Sequence, residues 1–289
     1  MAYRGMKVNP PGFEKSQTGF YLFLIPLAAF MVVPIVFIVF HAFKPMDELF
    51  AYPPQFLVRK PTIENFLQLF SAARGSLVPV SRYVFNSILV TVLVVFGTVI
   101  ISALAGFALS KMTFRLKGFI FQMNNAALMF VPVAVIIPRF IIINALGIMD
   151  SYLAHVLPLL AMPVGLFLVK QFIDQIPDEL IEAAVVDGAT SLRVFFKIII
   201  PMIIPALATS SILSFQAVWN NIETSAMFTT QEAFRTLAFY MNTLSAAGAI
   251  AGQGMAAAAS LIMFLPNLIL FIILQSNVMN TMAYSGLKG

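Results

Sequence analysis

The chain has 289 residues, of which 60% are hydrophobic and only 10% charged, and its mean hydropathy is +0.94. A soluble domain carries about 25% charged residues, so this composition excludes an ordinary soluble protein and indicates a membrane protein. The net charge of +5 comes from short clusters between apolar runs, which indicates topology and lipid contact and argues against a nucleic-acid partner. The absence of cysteine excludes disulfides, thiol catalysis and cysteine metal sites.

The first apolar stretch predicts a membrane helix near the N-terminus. It runs over Phe20–Ala42, so we expect a transmembrane helix over 20–43 after a cytoplasmic segment over 1–19. The stretch is longer than the apolar core of a signal peptide, and no small-residue cleavage site follows it. We therefore predict a retained span.

Residues 44–82 predict a long extracytoplasmic loop. Five prolines between Lys44 and Arg82 indicate irregular backbone. One short helix is predicted near Thr62–Phe70, with Thr62 as its cap.

Residues 83–281 predict a membrane core of five further helices, because a span needs about 20 mostly apolar residues. A cytoplasmic tail is predicted over 282–289. Residues Asn242–Ser260 are rich in Gly and Ala and predict a short outer or re-entrant segment, whose role is either close helix packing or lining of the translocation path. The predicted spans lie between Arg82 and Lys111, from Gly118 towards Arg139, between Asp150 and Lys170, between Lys197 and Glu223, and over Ala258–Asn280.

The distribution of Lys and Arg favours both termini in the cytoplasm. The predicted fold is therefore all-α and integral to the membrane, with six transmembrane helices and a cytoplasmic helix–turn–helix between helices 4 and 5. Prolines inside the spans predict bent helices around a cavity, which a transporter needs and a simple anchor does not.

The connection over 170–201 is the long cytoplasmic loop. Pro177 suits a first helical turn, and the acidic residues after it, up to Glu182, place negative charge near the positive end of the helix dipole. Gly188 suits a helix end that needs a positive φ, and Ser191 can cap a second helix. These signals predict two short helices on the membrane surface, exposed to a protein partner.

The spacing Glu182-Ala183-Ala184, three residues, Gly188, nine residues, then Ile198 to Pro201 resembles the EAA loop of binding-protein-dependent ABC importer permeases. The one departure is Ile200, where Leu is usual. The resemblance implies that the first helix docks in a cleft of an ATP-binding subunit, whose closure switches access to the cavity. The coupling residues that it implies are Glu182, Ala183, Ala184, Asp187, Gly188 and Pro201.

Further similarity points to the carbohydrate branch of that family, the maltose-type second permease. Asn86-Ser87 opens the second span, Trp219-Asn220 lies late in the fifth, and 286–289 resembles the short tail of that branch. Relatives often have an acid after Trp-Asn, whereas this chain has Asn221. The resemblance implies a subunit that moves a sugar or oligosaccharide into the cytoplasm across a bacterial or archaeal plasma membrane.

The resemblance also implies partners. They are a second homologous permease, two ATP-binding cassette subunits, an extracytoplasmic solute-binding protein, a sugar and membrane lipid. The sequence has no Gly-rich phosphate loop ending in Gly-Lys-Ser/Thr, so ATP and Mg are expected on the partner ATPase. We expect no enzymatic activity, cofactor or metal site in this chain.

Sugar transport needs aromatic faces and hydrogen-bonding side chains along the pathway. Helix packing or an interfacial position remains an alternative for each candidate, and transport of a non-sugar solute remains an alternative function. An ion-gradient carrier would favour carboxylates deep in the spans and repeated halves, and neither is evident. The candidate pathway residues are Asn86, Asn124, Asn125, Trp219, Asn220 and Glu223.

Overall fold

A computed structural model describes residues 18–53, 55–74, 78–130, 132–247 and 252–286. All regular secondary structure in these ranges is helical, which confirms the all-α class. Nearly all of the predicted N-terminal segment 1–19, and the last three residues of the predicted tail 282–289, lie outside the described residues.

The first helix, α1 (Thr18–Ala42), is apolar on every side. None of the residues in its most apolar 18-residue window is buried, and its contacts are mainly with the last helix of the chain. Exposing so many large apolar side chains to water would be unfavourable, whereas lipid tails solvate them. Its composition therefore matches a membrane environment.

The segment after α1 is held by hydrogen bonds and contains α2 (Met46–Leu49) and α3 (Glu64–Arg74). The Glu48 carboxylate accepts from the backbone N–H groups of Arg59 and Lys60 at 2.9 and 2.8 Å. Asn65 Nδ2 donates to the carbonyl oxygens of Ala42 and Lys44 at 3.0 and 2.7 Å. These bonds replace regular structure in the proline-rich segment.

Thr62, the predicted cap, lies two residues before the first residue of α3 and therefore one residue before the N-cap position. Its Oγ1 accepts from the backbone N–H of Glu64 at 3.1 Å, which satisfies one free donor of the first turn.

The long helix α4 (Val80–Lys111) is the centre of the packing. It contacts α8 (Pro163–Asp174) and α12 (Ile204–Trp219) over much of its length. A Cβ added at Gly106 of α4 would lie 3.1 Å from Val169 Cγ1, and one added at Gly165 of α8 would lie 2.7 Å from Ser210 Oγ. Glycine at these crossings allows the backbones to approach closely, as is common between membrane helices.

Two apolar segments are bent at prolines. Helix α7 (Tyr152–Leu160) meets α8 at 43°, where Pro163 begins the second helix. The segment Ser191–Met202 meets α12 at 76°. It consists of α10 (Ser191–Val194), a π-helical turn over Phe195–Ile199 and α11 (Ile200–Met202).

The π-helical turn has a local cause. The Ile200 N–H donates to the Phe195 carbonyl, five residues earlier. Pro201 follows at once, and a proline ring clashes with the carbonyl four residues before it in a regular α-helix. The wider turn relieves that clash, and such turns occur frequently at functional sites.

The predicted third span is divided in the structure. It consists of α5 (Lys117–Leu128), a 3-10 turn over Pro132–Val135 and α6 (Ile136–Ala145). Pro132 lacks the N–H that a continuous helix would use, which accounts for a break there. The remaining helices are α9 (Asp178–Val186), α13 (Glu223–Phe228), α14 (Leu237–Ala247) and α15 (Gly252–Gly286).

In the described part of the chain, three helices are long and apolar enough to cross a membrane, and up to five if each bent pair is one span. The three are α1, α4 and residues 253–275 of α15.

The buried apolar residues form separate clusters at the two ends of α4. One cluster, at the C-terminal end of α4, contains Phe107, Ile173, Phe195 and Ile199. The other, at its N-terminal end, contains Tyr83, Trp219, Tyr240 and Ala258. The first cluster supports the loop between α8 and α12, and the second supports the opposite end of the bundle.

Candidate functional site

Helix α9 attaches to the bundle on one side and is open on the other. Ile181 and Ala184 are half-buried against the apolar cluster at the C-terminal end of α4. Glu182, Ala183 and Asp187 are exposed. Three of the α9 residues predicted to couple to the ATPase therefore lie on a surface that a partner can reach. The fourth, Ala184, packs against the bundle and anchors the helix.

The end of α9 requires glycine for its backbone conformation. Gly188 has φ +79°, and a Cβ added there would meet nothing within 4 Å. The N–H of Gly188 donates to the Val185 carbonyl at 2.9 Å, and the N–H of Ala189 donates to the Ala184 carbonyl at 2.9 Å. This is the hydrogen-bonded helix ending that places glycine in the left-handed region.

The second helix of the loop is capped by Thr190, and the prediction that Ser191 caps it is wrong. Thr190 has extended backbone (φ −74°, ψ 159°), and its Oγ1 accepts from the Arg193 N–H at 3.4 Å. Ser191 already has helical geometry as the first residue of α10.

Lys111 links α4 to the start of α9. Its Nζ donates to the Ile176 carbonyl at 2.6 Å and to Asp178 Oδ1 at 2.6 Å. The lysine side chain is only 8% exposed, whereas that of Asp178 is 73% exposed. The sequence analysis used Lys111 only as the end of a span, because nothing in its neighbourhood indicates a partner 65 residues away.

Apolar side chains surround the exposed acids of the loop. Val185, Val186 and Leu192 are 56%, 86% and 66% exposed. An exposed apolar patch with a polar rim is typical of a protein-interaction surface. Among the described residues, no group of three or more His, Asp or Glu side chains is placed to hold a metal ion.

The candidate pathway residues divide by their contacts. Asn86 is fully buried, and its Nδ2 donates to the carbonyls of Ala233 and Arg235 at 2.8 and 2.9 Å. Trp219 is 8% exposed and donates from Nε1 to the Met263 carbonyl at 3.2 Å. Both side chains hold helices and loops together in this structure.

Three other candidates are half-buried. Asn124 Nδ2 donates to the Pro163 carbonyl at 3.2 Å, and Asn125 next to it is half-buried. Glu223 Oε1 accepts from Arg139 Nη1 at 2.6 Å, with both side chains about a quarter exposed. This ion pair joins α6 to α13 and neutralises both charges.

Asn220 differs, because it lines an open groove of about 360 Å³ between α12, α14 and α15. A neighbouring groove of about 350 Å³ also contains Asn220. Two other polar residues of the grooves, Asn242 and Ser260, are the ends of the Gly- and Ala-rich stretch for which the sequence left a pathway role open. The sequence analysis missed Gln216 and Asn267, because single amides in apolar helices carry no local signal that separates a groove from a helix contact.

The connection between α13 and α14 is pinned at the end of the bundle away from α9. Asp150, with φ 54°, accepts from the N–H groups of Thr230 and Gln231 at 2.6 and 2.8 Å. Hydrogen bonds to the Asp150 carboxylate lower its pKa, and the bond from the Gln231 N–H has the largest effect. His155 is fully buried and contacts Thr224 Oγ1 through Nδ1 at 2.8 Å.

Known proteins resemble the chain over most of its length. The model of the family described as binding-protein-dependent transport system inner membrane component matches residues 99–277. The sulfoquinovosyl glycerol transport system permease protein SmoH of Agrobacterium fabrum is 30% identical, over 96% of this chain and 98% of that protein. The probable ABC transporter permease protein YurM of Bacillus subtilis is 32% identical, over 94% of this chain and 89% of that protein.

One further relative and one solved structure are also similar to most of this chain. The trehalose/maltose transport system permease protein MalG of Thermococcus litoralis is 30% identical over 83% of this chain and 88% of that protein. A chain in the crystal structure of a bacterial ABC transporter that imports the acidic polysaccharide alginate superimposes with a TM-score of 0.75. That chain is 20% identical, and the match covers 92% of this chain and 99% of that one, which shows a shared fold.

Proposed function

This chain belongs to the family of binding-protein-dependent transport system inner membrane components, and on that premise we propose that it moves a sugar or oligosaccharide inwards through a two-permease complex driven by separate ATPases. The observation that carries the proposal is the exposed face of α9, which has Glu182 and Ala183 at its surface and is anchored from behind by Ala184. The sugar class is supported by relatives whose names include sulfoquinovosyl glycerol, arabinooligosaccharides and trehalose/maltose.

In this proposal the helix–turn–helix over 178–194 is the coupling element on the cytoplasmic side. Six spans then follow if α5 and α6 together count as the third, which places both termini in the cytoplasm. ATP and Mg are bound by two partner ATPases, and a solute-binding protein delivers the sugar from outside. This chain supplies no catalytic group.

The geometry of the loop suits the transmission of a force. Glu182, Ala183 and Asp187 offer a small, acidic surface to a partner, and Gly188 ends the helix so that α10 turns back to the membrane. The π-helical turn before Pro201 leads through α11 and a 76° bend into α12, so α9 is connected through this segment to a helix that lines the groove at Asn220.

Purification of the tagged chain in mild detergent, with mass spectrometry of its partners, tests the proposal. We expect an ATPase with a phosphate-binding loop, a sister permease and a solute-binding protein. Glu182→Arg should remove the ATPase from the purified complex. Glu64→Arg is the matched control, because Glu64 is also an exposed helical glutamate but lies on α3, far along the chain from the loop.

Retention of the ATPase by Glu182→Arg, with uptake intact, would contradict the coupling role. Purification of the chain without any ATPase, in a preparation that still transports solute, would instead favour a carrier driven by an ion gradient.

A further inference from the structure

We infer that the groove between α12, α14 and α15 is a contact site for the transported molecule, and that this molecule is an uncharged polyhydroxyl compound. The inference rests on the proposed transport function and adds the residues and the charge class of the substrate. The polar and aromatic side chains that carry it are Gln216, Asn220, Asn242, Ser260, Phe264 and Asn267.

The groove exposes amides in helices that are otherwise apolar. Gln216, Asn220 and Asn242 are all exposed, although α12 and α14 lie among membrane helices. An amide exposed to lipid tails loses its hydrogen bonds with water, at a cost of several kcal/mol. This face therefore borders water, a polar solute or another protein, and not lipid.

The two faces of α15 differ in the same way. Ser260, Met263 and Asn267 form one stripe at helical spacing and line the groove. Ile269, Ile272 and Ile273 lie on the opposite stripe and are more than half exposed. One helix thus presents an apolar side suited to lipid and a mixed polar side suited to a solute.

The groove has spare hydrogen-bonding capacity. Asn267 is already engaged, since its Nδ2 donates to the Met263 carbonyl at 3.0 Å and weakly to Asn220 Oδ1 at 3.4 Å, and its Oδ1 is buried, so the capacity lies with the exposed amides. The Gln216 and Asn242 side chains stand at the surface. Neutral amides donate to and accept from sugar hydroxyls, and Phe264 adds an aromatic surface for a sugar ring.

The charge class follows from which residues line the groove. None of its described lining residues is ionisable. A site for a sulfonate, a phosphate or a uronic acid would be expected to include Arg or Lys, because burying an unpaired anion is very costly. Of the charges nearest in sequence to the lining residues, Glu223 pairs with Arg139, and the Arg235 guanidinium lies over the Phe239 ring at 4.8 Å and is not among the lining residues. Neutral sugars fit this groove and acidic ones do not.

Cysteine labelling of the complete importer in lipid nanodiscs tests the groove, because this chain has no native cysteine. The variants are Asn220→Cys and Ser260→Cys, the second being nearly isosteric. Ile269→Cys and Ile272→Cys on the opposite face of α15 are the matched controls. Each is treated with a charged methanethiosulfonate reagent that does not enter lipid, and labelling of this chain is read by mass.

We expect both groove cysteines to react and both control cysteines to remain unlabelled. Failure of both groove cysteines to react would overturn the inference, since it would mean that the second permease or lipid fills the groove. A failed transport proposal would be seen earlier and separately, as a purification without ATPase.

The charge class is tested by comparing an anionic with a cationic reagent, each normalised to its rate with free cysteine. We expect the two rates to agree within about threefold, whereas a cation in the assembled pathway would favour the anionic reagent by about tenfold or more. The second result would overturn the neutral assignment.

Protection by sugars tests occupancy. We expect a mixture of maltotriose, raffinose and arabinotriose to slow labelling at Ser260→Cys. The slowing should be about threefold when the sugar that binds is present at twice its own Kd. Trigalacturonate at the same concentration should have no effect. Protection by trigalacturonate, or by neither sugar preparation, would overturn the assignment.

Discussion

The link between Lys111 and the start of α9 gives the sharpest prediction of how the coupling loop is held. Lys111→Met removes the ammonium group and keeps an unbranched apolar side chain in the same space. The wild-type Nζ lies 2.6 Å from both the Ile176 carbonyl and Asp178 Oδ1. The two contacts should differ in strength, because one partner belongs to the backbone and the other to an exposed carboxylate.

Burial determines the magnitude of each contact. The pair with Asp178, whose side chain is 73% exposed, should contribute about 0–1 kcal/mol after solvent screening. The bond from the nearly buried ammonium to a backbone carbonyl should contribute about 1.5–3 kcal/mol. We therefore expect Lys111→Met to weaken closure of the loop by about 2 kcal/mol, or roughly 30-fold, and Asp178→Asn to weaken it by less than about fivefold.

Hydrogen exchange of the purified complex measures this opening. The amides to follow are those of Asp187, Gly188 and Ala189, which donate to carbonyls within α9. Equal exchange in Lys111→Met and wild type would refute the link. An equally large effect of Asp178→Asn would show that the ion pair, and not the carbonyl contact, holds the loop.

Three further predictions concern individual residues. Gly188→Ala and Gly147→Ala place Ala at positive φ values of 79° and 67° with nothing within 4 Å, so each should lower the free energy of unfolding by about 1–2 kcal/mol, measured by thermal unfolding. Only Gly188→Ala should also weaken retention of the ATPase. Equal retention by the two variants would contradict the coupling role. Asn86→Leu leaves the Ala233 and Arg235 carbonyls without their donor, so it should destabilise the α13–α14 connection by about 2–5 kcal/mol. The effect should be seen as faster hydrogen exchange of the Leu237 amide, and unchanged exchange would contradict the anchoring role. Because the pKa of Asp150 is lowered, its stabilising effect is complete above the unfolded-state pKa of about 4 and is lost as the pH falls through the folded-state pKa. Asp150→Asn, a residue type that tolerates φ 54°, should therefore remove the loss of hydrogen-exchange protection that acid causes at the Thr230 and Gln231 amides. The same loss of protection in the variant and in the wild type would exclude this carboxylate as its cause.

The sequence predicted what depends on composition and local backbone chemistry. Apolar length located α1, α4 and α15, and the turn signals at Pro177 and Gly188 located α9 within a residue or two. The hydrogen bond between Thr62 and the start of α3 followed from the same kind of signal. These features depend on residues that are neighbours along the chain, so a single sequence contains the information.

Contacts between distant residues were not predictable in the same way. Asn86 and Asn220 are both amides in apolar helices, yet one is buried under a loop and the other lines a groove. Only the packing of α4, α12 and α15 separates them. The Lys111 contact with Ile176 spans 65 residues, and the division of the third predicted span depends on how α5 and α6 pack as well as on Pro132.

Cross-linking from Ala183 tests the central claim most directly. The Cys-free chain allows a single Ala183→Cys variant, at an exposed position of α9, to be joined to nearby amines of its partners by a thiol–amine reagent in the intact membrane. The account predicts a cross-linked peptide from a protein that carries a Gly-rich phosphate-binding loop. Cross-links only to this chain or to lipid, in membranes that retain ATP-dependent uptake, would contradict it.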